Sequence, residues 1–165
     1  MTSRKINVSA QNSRLLDLGP MKKNFSYLSR LARMVSTQSG GEFFTEFQFA
    51  SGQMTMLSVI GTNEDITQNE LASAMLMKKS QVTNLIADLV SRGLVSREAH
   101  GSDRRFNTLR LTPAGQKIWK RVKVQVAKHS EQLLQPLNPK EQETLNALLC
   151  KLLGAHLKDS GIDFS

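Results

Sequence analysis

A mainly α-helical fold with one small β-hairpin is predicted from three features of this 165-residue sequence. Apolar residues recur at helical spacing over most of the chain. Capping signals at Thr67, Thr112 and Asn138 indicate where three of the helices begin. The stretch SREAHGSDRRFNTLRLT, residues 96–112, has the strand, glycine-containing loop and strand of a hairpin with a long tip. The length suits one domain with a substantial core.

The sequence pattern of the first 62 residues predicts an arm followed by two helices. Residues 1–20 are polar, lack a clear apolar period and end at Gly19-Pro20, so we expect a flexible arm there. From residue 22 onward, apolar residues three or four positions apart predict a helix, which the run Ser39-Gly40-Gly41 ends. The stretch SGQMTMLSVIGT, residues 51–62, predicts a short buried helix.

Residues 63–93 predict two helices joined by a tight turn, which is a helix-turn-helix. Before them, Ile66 lies alone between polar residues and predicts at most a one-bridge strand. Thr67 and Glu70 have the spacing of a capping box for the first helix. The apolar residues of the second helix, SQVTNLIADLVSR, share one stripe, and Gly93 follows where a left-handed residue is favoured. Four polar side chains lie off the stripe: Gln81, Asn84, Asp88 and Ser91.

Two strands and two long helices complete the predicted fold. The stretches LVSRE and TLRLT predict the strands, and Leu109 and Leu111 place one face of the second strand against the core. Thr112-Pro113 begins a helix that runs to about Leu134, and Asn138-Pro139 begins the last helix. That helix has an apolar face too wide for one neighbour, formed by Leu145, Leu148, Leu149, Leu152 and Leu153.

The positive charge of the protein is concentrated in one window. The chain has 22 Lys and Arg against 14 Asp and Glu, a net charge of +8. Residues 76–121 hold ten basic and three acidic residues, a net of +7, whereas residues 1–75 have a net of +1 and residues 122–165 a net of 0. An evenly solvated surface would not segregate charge in this way, so the pattern indicates a polyanionic partner.

The composition argues against several other classes of protein. No apolar run reaches the length of a membrane span and no signal peptide is recognisable, so we expect a cytoplasmic protein that contacts no membrane. A single cysteine, Cys150, excludes an intrachain disulfide, and its neighbours Leu149 and Leu153 predict that it is a small core residue. We find no phosphate cradle, nucleophile elbow or clustered metal ligands, so neither an enzyme, a cofactor nor a metal site is expected.

Two stretches of the sequence resemble the MarR family of bacterial winged-helix transcription regulators. ELASAMLMKKSQVTNLIADLVSRGLVSR looks like the helix-turn-helix of the family, and DRR followed by LRLTPAG looks like its wing and the start of its fifth helix. The resemblance implies a winged helix-turn-helix at residues 63–111. It further implies dimerisation and ligand-pocket helices at residues 22–62 and 112–160, in a homodimer that binds a palindromic operator in double-stranded DNA.

The resemblance also implies roles for the residues at the hairpin tip. In the family, the Asp-Arg-Arg of the wing places an arginine in the minor groove of DNA. Carried over to this chain, Arg105 would enter the minor groove, Asp103 would brace it, and Arg104 would contact a phosphate. A narrow minor groove has an enhanced negative potential that favours an inserted guanidinium.

Candidate DNA contacts in the helix-turn-helix divide into phosphate and base contacts. Asn84 and Gln81 could each read adenine or lie on a solvated face, and Asp88 could accept from cytosine or point away from the phosphates. The family usually has a serine N-cap where this chain has Lys78, so either Ser80 caps the helix two residues later or the start frays. The candidates for phosphate contact are Lys78, Lys79, Ser80 and Thr83.

A ligand pocket is expected between the dimerisation helices and the DNA-binding region, because small effectors bind there in the family. Several methionines, Met56 among them, either fill the core or form an adaptable pocket wall. Tyr27, Arg30 and Arg33 are candidates to bind an anionic effector, for instance an aromatic carboxylate or an acyl thioester. The alternative is that they are surface or dimer-interface residues.

These features predict a dimeric, sequence-specific DNA-binding repressor that a small ligand releases from its operator. The alternative is an architectural or sequence-tolerant nucleic-acid-binding protein without an effector. A capped recognition helix and a wing favour double-stranded DNA over RNA, because a helix cannot read the deep major groove of RNA.

Overall fold

The computed structural model describes residues 16–39, 47–99 and 107–164, which belong to two compact units that divide between Gln48 and Phe49. The first unit contains a 3-10 turn, Gly19–Lys23, and helix α1, Phe25–Ser39. The predicted arm, residues 1–20, is described from residue 16 onward. Its last two residues belong to regular structure, because the 3-10 turn begins at Gly19.

Helix α1 begins behind a cap that the sequence analysis did not identify. The backbone N–H of Tyr27 donates to Oδ1 of Asn24 at 2.8 Å, which satisfies one of the free amides of the first turn. The helix is described as far as Ser39, the first residue of the predicted Ser-Gly-Gly break. Several of the apolar side chains on α1 are exposed in the described chain: Phe25, Leu28 and Met34.

The second unit has five α-helices and three short strands among its described residues. In chain order they are α2 Gln53–Thr62, β1 Ile66–Thr67, α3 Gln68–Ala74, α4 Lys79–Ser91, β2 Val95–Ala99, β3 Asn107–Leu111, α5 Pro113–Leu134 and α6 Pro139–His156, with a 3-10 turn at Lys158–Ser160. The mainly helical class with a small hairpin is confirmed.

The sheet is antiparallel and has the strand order β1-β3-β2, so the hairpin strand β3 lies in its centre. Leu109 pairs with Ile66 of β1 on one side and with Arg97 of β2 on the other. Leu109, on the face of β3 that was predicted to pack, is buried, and Thr108 on the other face is buried as well, with 3% of its surface exposed. Its hydroxyl donates to the carbonyl oxygen of Glu98 at 3.4 Å, which provides the polar group with a partner.

An ion pair joins the turn before β1 to the central strand. Nε and NH2 of Arg110 lie 2.6 and 2.8 Å from the two carboxylate oxygens of Asp65, and Glu98 adds a third oxygen at 3.5 Å. These contacts, led by the hydrogen bonds to Asp65, raise the pKa of Arg110 above its ordinary value. The bidentate geometry fixes the guanidinium plane, so it holds β1 against the base of the hairpin.

The predicted capping motifs of the second unit are confirmed. The hydroxyl of Thr67 accepts from the amide of Glu70 at 3.2 Å, and the Glu70 carboxylate accepts from the amide of Thr67 at 2.7 Å. This second contact is the main reason why the pKa of Glu70 is lowered below its ordinary value. Asn138 and Glu141 form the same reciprocal pair at the start of α6.

The start of α5 is clamped against the turn that follows α4. Thr112 donates a hydrogen bond to the carbonyl oxygen of Gly93 at 2.6 Å and accepts one from the amide of Gly115 at 3.0 Å. A Cβ added at Gly115 would overlap the carbonyl oxygen of Leu94, so the helix backbone approaches this strand start as closely as a glycine permits. Gly93 itself is left-handed, with φ +66°, as its position after α4 predicts.

Farther along α5, Trp119 packs against α2. A Cβ added at Gly61 would lie 2.6 Å from Cδ2 of Trp119 and 2.8 Å from Cδ1 of Leu111, so these side chains occupy the space above the glycine. The indole N–H of Trp119 is buried and lacks a hydrogen-bond partner among the described residues.

None of the residues of helix α6 is buried. The expectation that Cys150 is a core residue is therefore wrong, because its side chain is exposed. The physical reason is that, within the described ranges, no apolar layer covers the leucines beside it. Leu148 is 60% exposed, and Leu145, Leu149 and Leu153 are exposed as well.

Replacing Gly115 with Ala should destabilise the second unit by on the order of 1–3 kcal/mol, because the added methyl group meets backbone that cannot rotate away. Urea unfolding at neutral pH measures this change. Gly154→Ala in α6 is the matched control, since its Cβ would lie 3.7 Å from the nearest side-chain atom of Phe164. The control should be as stable as the parent or more stable by about 0.5–1 kcal/mol. Equal stabilities for the two variants would contradict the clamp.

Candidate nucleic-acid interface

Helix α4 has one fully buried face and one exposed face. Val82, Ile86 and Leu89 have no exposed surface, which confirms the predicted apolar stripe. Since side chains three or four positions apart share a face, burial of the stripe turns the remaining residues outward. The exposed side chains of its first two turns are Lys79, Ser80, Gln81 and Asn84.

The start of α4 differs from both alternatives raised by the sequence. The helix begins at Lys79 with Lys78 as its N-cap, so Ser80 lies inside the first turn and is not the cap. The side chain of Lys78 makes no capping hydrogen bond. Instead, Oε1 of Gln81 accepts from the backbone N–H of Lys78 at 3.3 Å, which ties the turn to the helix.

Thr83 lies at the contact between α3 and α4 rather than on the open face. Its hydroxyl accepts a hydrogen bond from Nε2 of Gln68 on α3 and donates one to the carbonyl oxygen of Lys79 at 2.8 Å. The side chain is half-buried. The hydroxyl thus has two partners within the fold, and these fix α4 against α3.

Asp88 is on the exposed part of α4 but its carboxylate is directed to α2. Its Oδ2 accepts from Nε2 of Gln53 at 2.7 Å and lies 3.6 Å from NH1 of Arg92. The Arg92 guanidinium also lies 4.7 Å from the centre of the Phe49 ring. Of the two alternatives for Asp88, this geometry favours a carboxylate that points away from a DNA phosphate.

The tip of the hairpin lies outside the described residues. Ala99 and Asn107 are the last pair in the ladder between β2 and β3, so the two strands of the hairpin are as the sequence predicts. Residues 100–106 join them, and the predicted DNA contacts Asp103, Arg104 and Arg105 fall in this segment. Their assignment stays a prediction from the sequence.

The segregated positive charge lies on the surface of the second unit. All eight Lys and Arg residues of the 76–121 window that the structure describes are exposed: Lys78, Lys79, Arg92, Arg97, Arg110, Lys117, Lys120 and Arg121. The same described part of the window holds two acidic residues, Asp88 and Glu98. A surface on which basic residues outnumber acidic ones in this way attracts polyanions.

The four predicted ligand-binding residues are distributed over both units. On α1, the Arg30 guanidinium lies 5.3 Å from the centre of the Tyr27 ring, and Arg33 is exposed one turn later. Met56 is fully buried in α2 of the second unit. The predicted site therefore has one cation–aromatic pair on α1, whereas Met56 is part of a core.

The sequence analysis did not identify Gln53, which is buried and holds Asp88. A polar residue at the head of an apolar stretch, QMTMLSVI, is the signal that could have identified it. Within the described ranges, no three His, Cys, Asp or Glu side chains are grouped so that they could bind a metal ion. Nor does any helix in those ranges combine the length and apolarity needed to cross a membrane.

Comparison with known proteins gives a family match over part of the chain. Residues 48–105 match the family model described as MarR family. A Thauera aromatica protein named as a transcriptional regulatory protein for the hcr operon is 29% identical over 123 residues, which cover 74% of this chain and 69% of that protein.

Solved structures share the fold. The transcriptional repressor CouR, bound to a 23-mer DNA duplex, matches with a TM-score of 0.77 at 24% identity, covering 84% of this chain and 99% of CouR. The Staphylococcus aureus MepR–DNA complex matches with a TM-score of 0.70 at 25% identity, covering 80% of this chain and 98% of MepR. The helix-turn-helix region of this chain is therefore similar to the MarR family of transcriptional regulators, and the chain shares its fold with the repressor CouR.

Proposed function

We propose that this protein is a dimeric repressor that binds a palindromic DNA operator and is released from it by a small anionic ligand. The observation that carries the proposal is the two-faced geometry of α4. Its apolar stripe is fully buried, and the side chains that it turns outward are those suited to phosphates and base edges. The CouR and MepR structures, both of complexes with DNA, support this orientation by analogy.

In this proposal α4 enters the major groove. Asn84 is exposed and can bond bidentately to the edge of adenine. Gln81 can do so only by giving up the 3.3 Å bond to the backbone of Lys78, so it contributes less to discrimination. Lys78, Lys79 and Ser80 contact phosphates, whereas the Thr83 hydroxyl must share its existing partners to do the same.

The hairpin supplies the second set of contacts, in the minor groove. Arg105 inserts there, Asp103 braces it and Arg104 contacts a phosphate, as the resemblance implies. The ion pair between Arg110 and Asp65 supports this role, because it stiffens the base of the hairpin, at the end opposite the tip. A stiff base reduces the conformational freedom that the arginine loses when it binds.

A dimer is proposed because the apolar face of α6 needs a partner. Its exposed leucines form a continuous strip that water would otherwise cover, and a second copy of the chain would bury it. A two-fold dimer presents two copies of α4, which suits a palindrome with half-sites one turn of B-DNA, about 34 Å, apart.

We propose that a ligand releases the protein by changing the spacing of the two α4 helices. A ligand that favours an arrangement in which the two α4 helices no longer match about 34 Å would lower the affinity for the operator. Arg30 and Tyr27 offer a cation beside an aromatic ring, which suits an aromatic carboxylate or an acyl thioester. Arg33 lies one turn farther along the same helix.

Arg105→Ala should weaken operator binding strongly, because each hydrogen bond to a charged group contributes roughly 1.5–3 kcal/mol and a dimer loses two. Lys79→Ala should weaken binding to any sequence modestly, and the salt slope should fall by about one unit per phosphate contact removed. Fluorescence anisotropy on operator and scrambled duplexes across a salt series measures both effects. Asp103→Ala should weaken operator binding less than Arg105→Ala does. Parent-like operator binding by Arg105→Ala would rule out the minor-groove contact.

Leu148→Glu should convert the dimer to a monomer, because it places a charge in the centre of the apolar strip of α6. Sedimentation velocity at micromolar concentration measures the change. Lys140→Glu introduces the same carboxylate on the opposite side of α6 and should remain dimeric. A folded parent that sediments as a monomer would disprove the dimer.

Arg30→Ala should leave operator binding intact and abolish release by a panel of aromatic carboxylates and their thioesters. The reason is that it removes the cation beside the Tyr27 ring but no DNA contact. Lys23→Ala, another exposed cation of the first unit, is the control and should respond to the panel as the parent does. Equal loss of DNA binding and release in Arg30→Ala would indicate a role in folding and would exclude the ligand role.

A further inference from the structure

Gln53, the first residue of α2, is a buried polar side chain with all of its amide groups engaged. Only 1% of its surface is exposed. Its Oε1 accepts from the backbone N–H of Ala50 at 2.8 Å. Its Nε2 donates to the carbonyl oxygen of Leu85 at 3.1 Å and to Oδ2 of Asp88 at 2.7 Å. A buried amide with this many partners is a well-defined connection between two elements.

An apolar residue would fill the same space without the cost of removing an amide from water. Gln53 therefore contributes through the direction of its hydrogen bonds rather than through the volume that its side chain fills. Hydrogen bonds weaken steeply when their angles change, whereas an apolar contact tolerates sliding and rotation. Because Leu85 and Asp88 lie on consecutive turns of α4, the two bonds restrain both the rotation of α4 about its axis and its shift along it.

Asp88 is unexpected on a helix that approaches a polyanion, because its charge repels phosphates. Its surroundings give it another role. Besides Gln53, it contacts Arg92, whose guanidinium stacks on the ring of Phe49. The segment from Phe49 to Gln53 is thus joined to the last turns of α4 at two points. Asn84, the exposed candidate for base contact, lies one turn before Asp88 on the same helix.

We propose that Gln53 and Asp88 are positioning residues for sequence discrimination: they hold α4 at the rotation that places Asn84 against the base edges. Neither residue needs to touch DNA. The inference rests on the proposed function, because it takes α4 as the DNA-reading helix. It adds that specificity is partly determined at the opposite end of that helix, by a contact with α2.

A role of Asp88 through its charge and a role through the position of α4 predict different effects on DNA affinity, so an experiment can distinguish them. If Asp88 acts only through its charge, its removal raises the affinity for every DNA sequence and leaves the ratio of operator to scrambled affinity unchanged. If it positions α4, its removal lowers that ratio. Gln53 is neutral, so its replacement leaves non-specific binding unchanged and lowers only the affinity for the operator.

The test uses the 165-residue chain, three variants and one control variant, with an operator selected from a pool of random duplexes. Fluorescence anisotropy on the selected and scrambled duplexes gives the affinity ratio. Gln53→Met, of similar size, should lower the ratio by about tenfold, the scale of one lost base contact, with the salt slope unchanged. Asp88→Ala should lower the ratio while raising affinity for the scrambled duplex. Asp88→Asn keeps an oxygen acceptor for Gln53 and should retain the ratio of the parent.

Leu57→Val controls for a general loss of stability, because Leu57 is fully buried in the same helix and touches none of these hydrogen bonds. All measurements are made well below the melting temperatures of the variants. Unchanged ratios in Gln53→Met or Asp88→Ala, or an equal fall in Leu57→Val, would overturn the positioning role alone. A parent protein that does not distinguish the two duplexes would overturn the proposed function, and the positioning role with it.

Discussion

The burial of one face of α4 is the constraint on which the proposed DNA-binding surface depends. Val82, Ile86 and Leu89 are completely buried, and full burial of such a side chain contributes about 1.5–3 kcal/mol. A rotation of α4 that brought these residues into water would lose that contribution several times over. The hydrophobic effect therefore decides which residues face outward. It is not directional, however, and leaves smaller rotations and shifts of the helix inexpensive.

Polar contacts at both ends of α4 remove this remaining freedom. Near its start, Gln68 of α3 bonds to the Thr83 hydroxyl, and near its end Gln53 of α2 bonds to Asp88. Behind the helix, the close approach of Gly115 to the strand start fixes the position of α5. Apolar burial thus selects the face, and a few directional bonds adjust its orientation, which is the division of roles expected if the surface matches base edges as proposed.

The features that the sequence predicted correctly depend on nearby residues. The cap at Thr67 requires only Glu70, three positions away, and the apolar stripe of α4 is visible in its own period. The features that it missed depend on distant residues. The pairing of Ile66 with Leu109 and the bond between Gln53 and Asp88 join parts of the chain that no local period relates. Exposure of Lys79 and Asn84 could be read from the stripe, whereas the partner of Asp88 could not.

The contact between Gly61 and Trp119 has a consequence for how such a chain can diverge. The indole ring occupies the space that any larger residue at Gly61 would require. A larger residue at Gly61 therefore requires the Trp119 ring and the end of the Leu111 side chain to move, whereas a smaller residue at position 119 first removes the larger of these two obstacles. Evolutionary change at these two positions should be coupled and ordered: the tryptophan is replaced before the glycine, and lineages that keep the tryptophan keep the glycine.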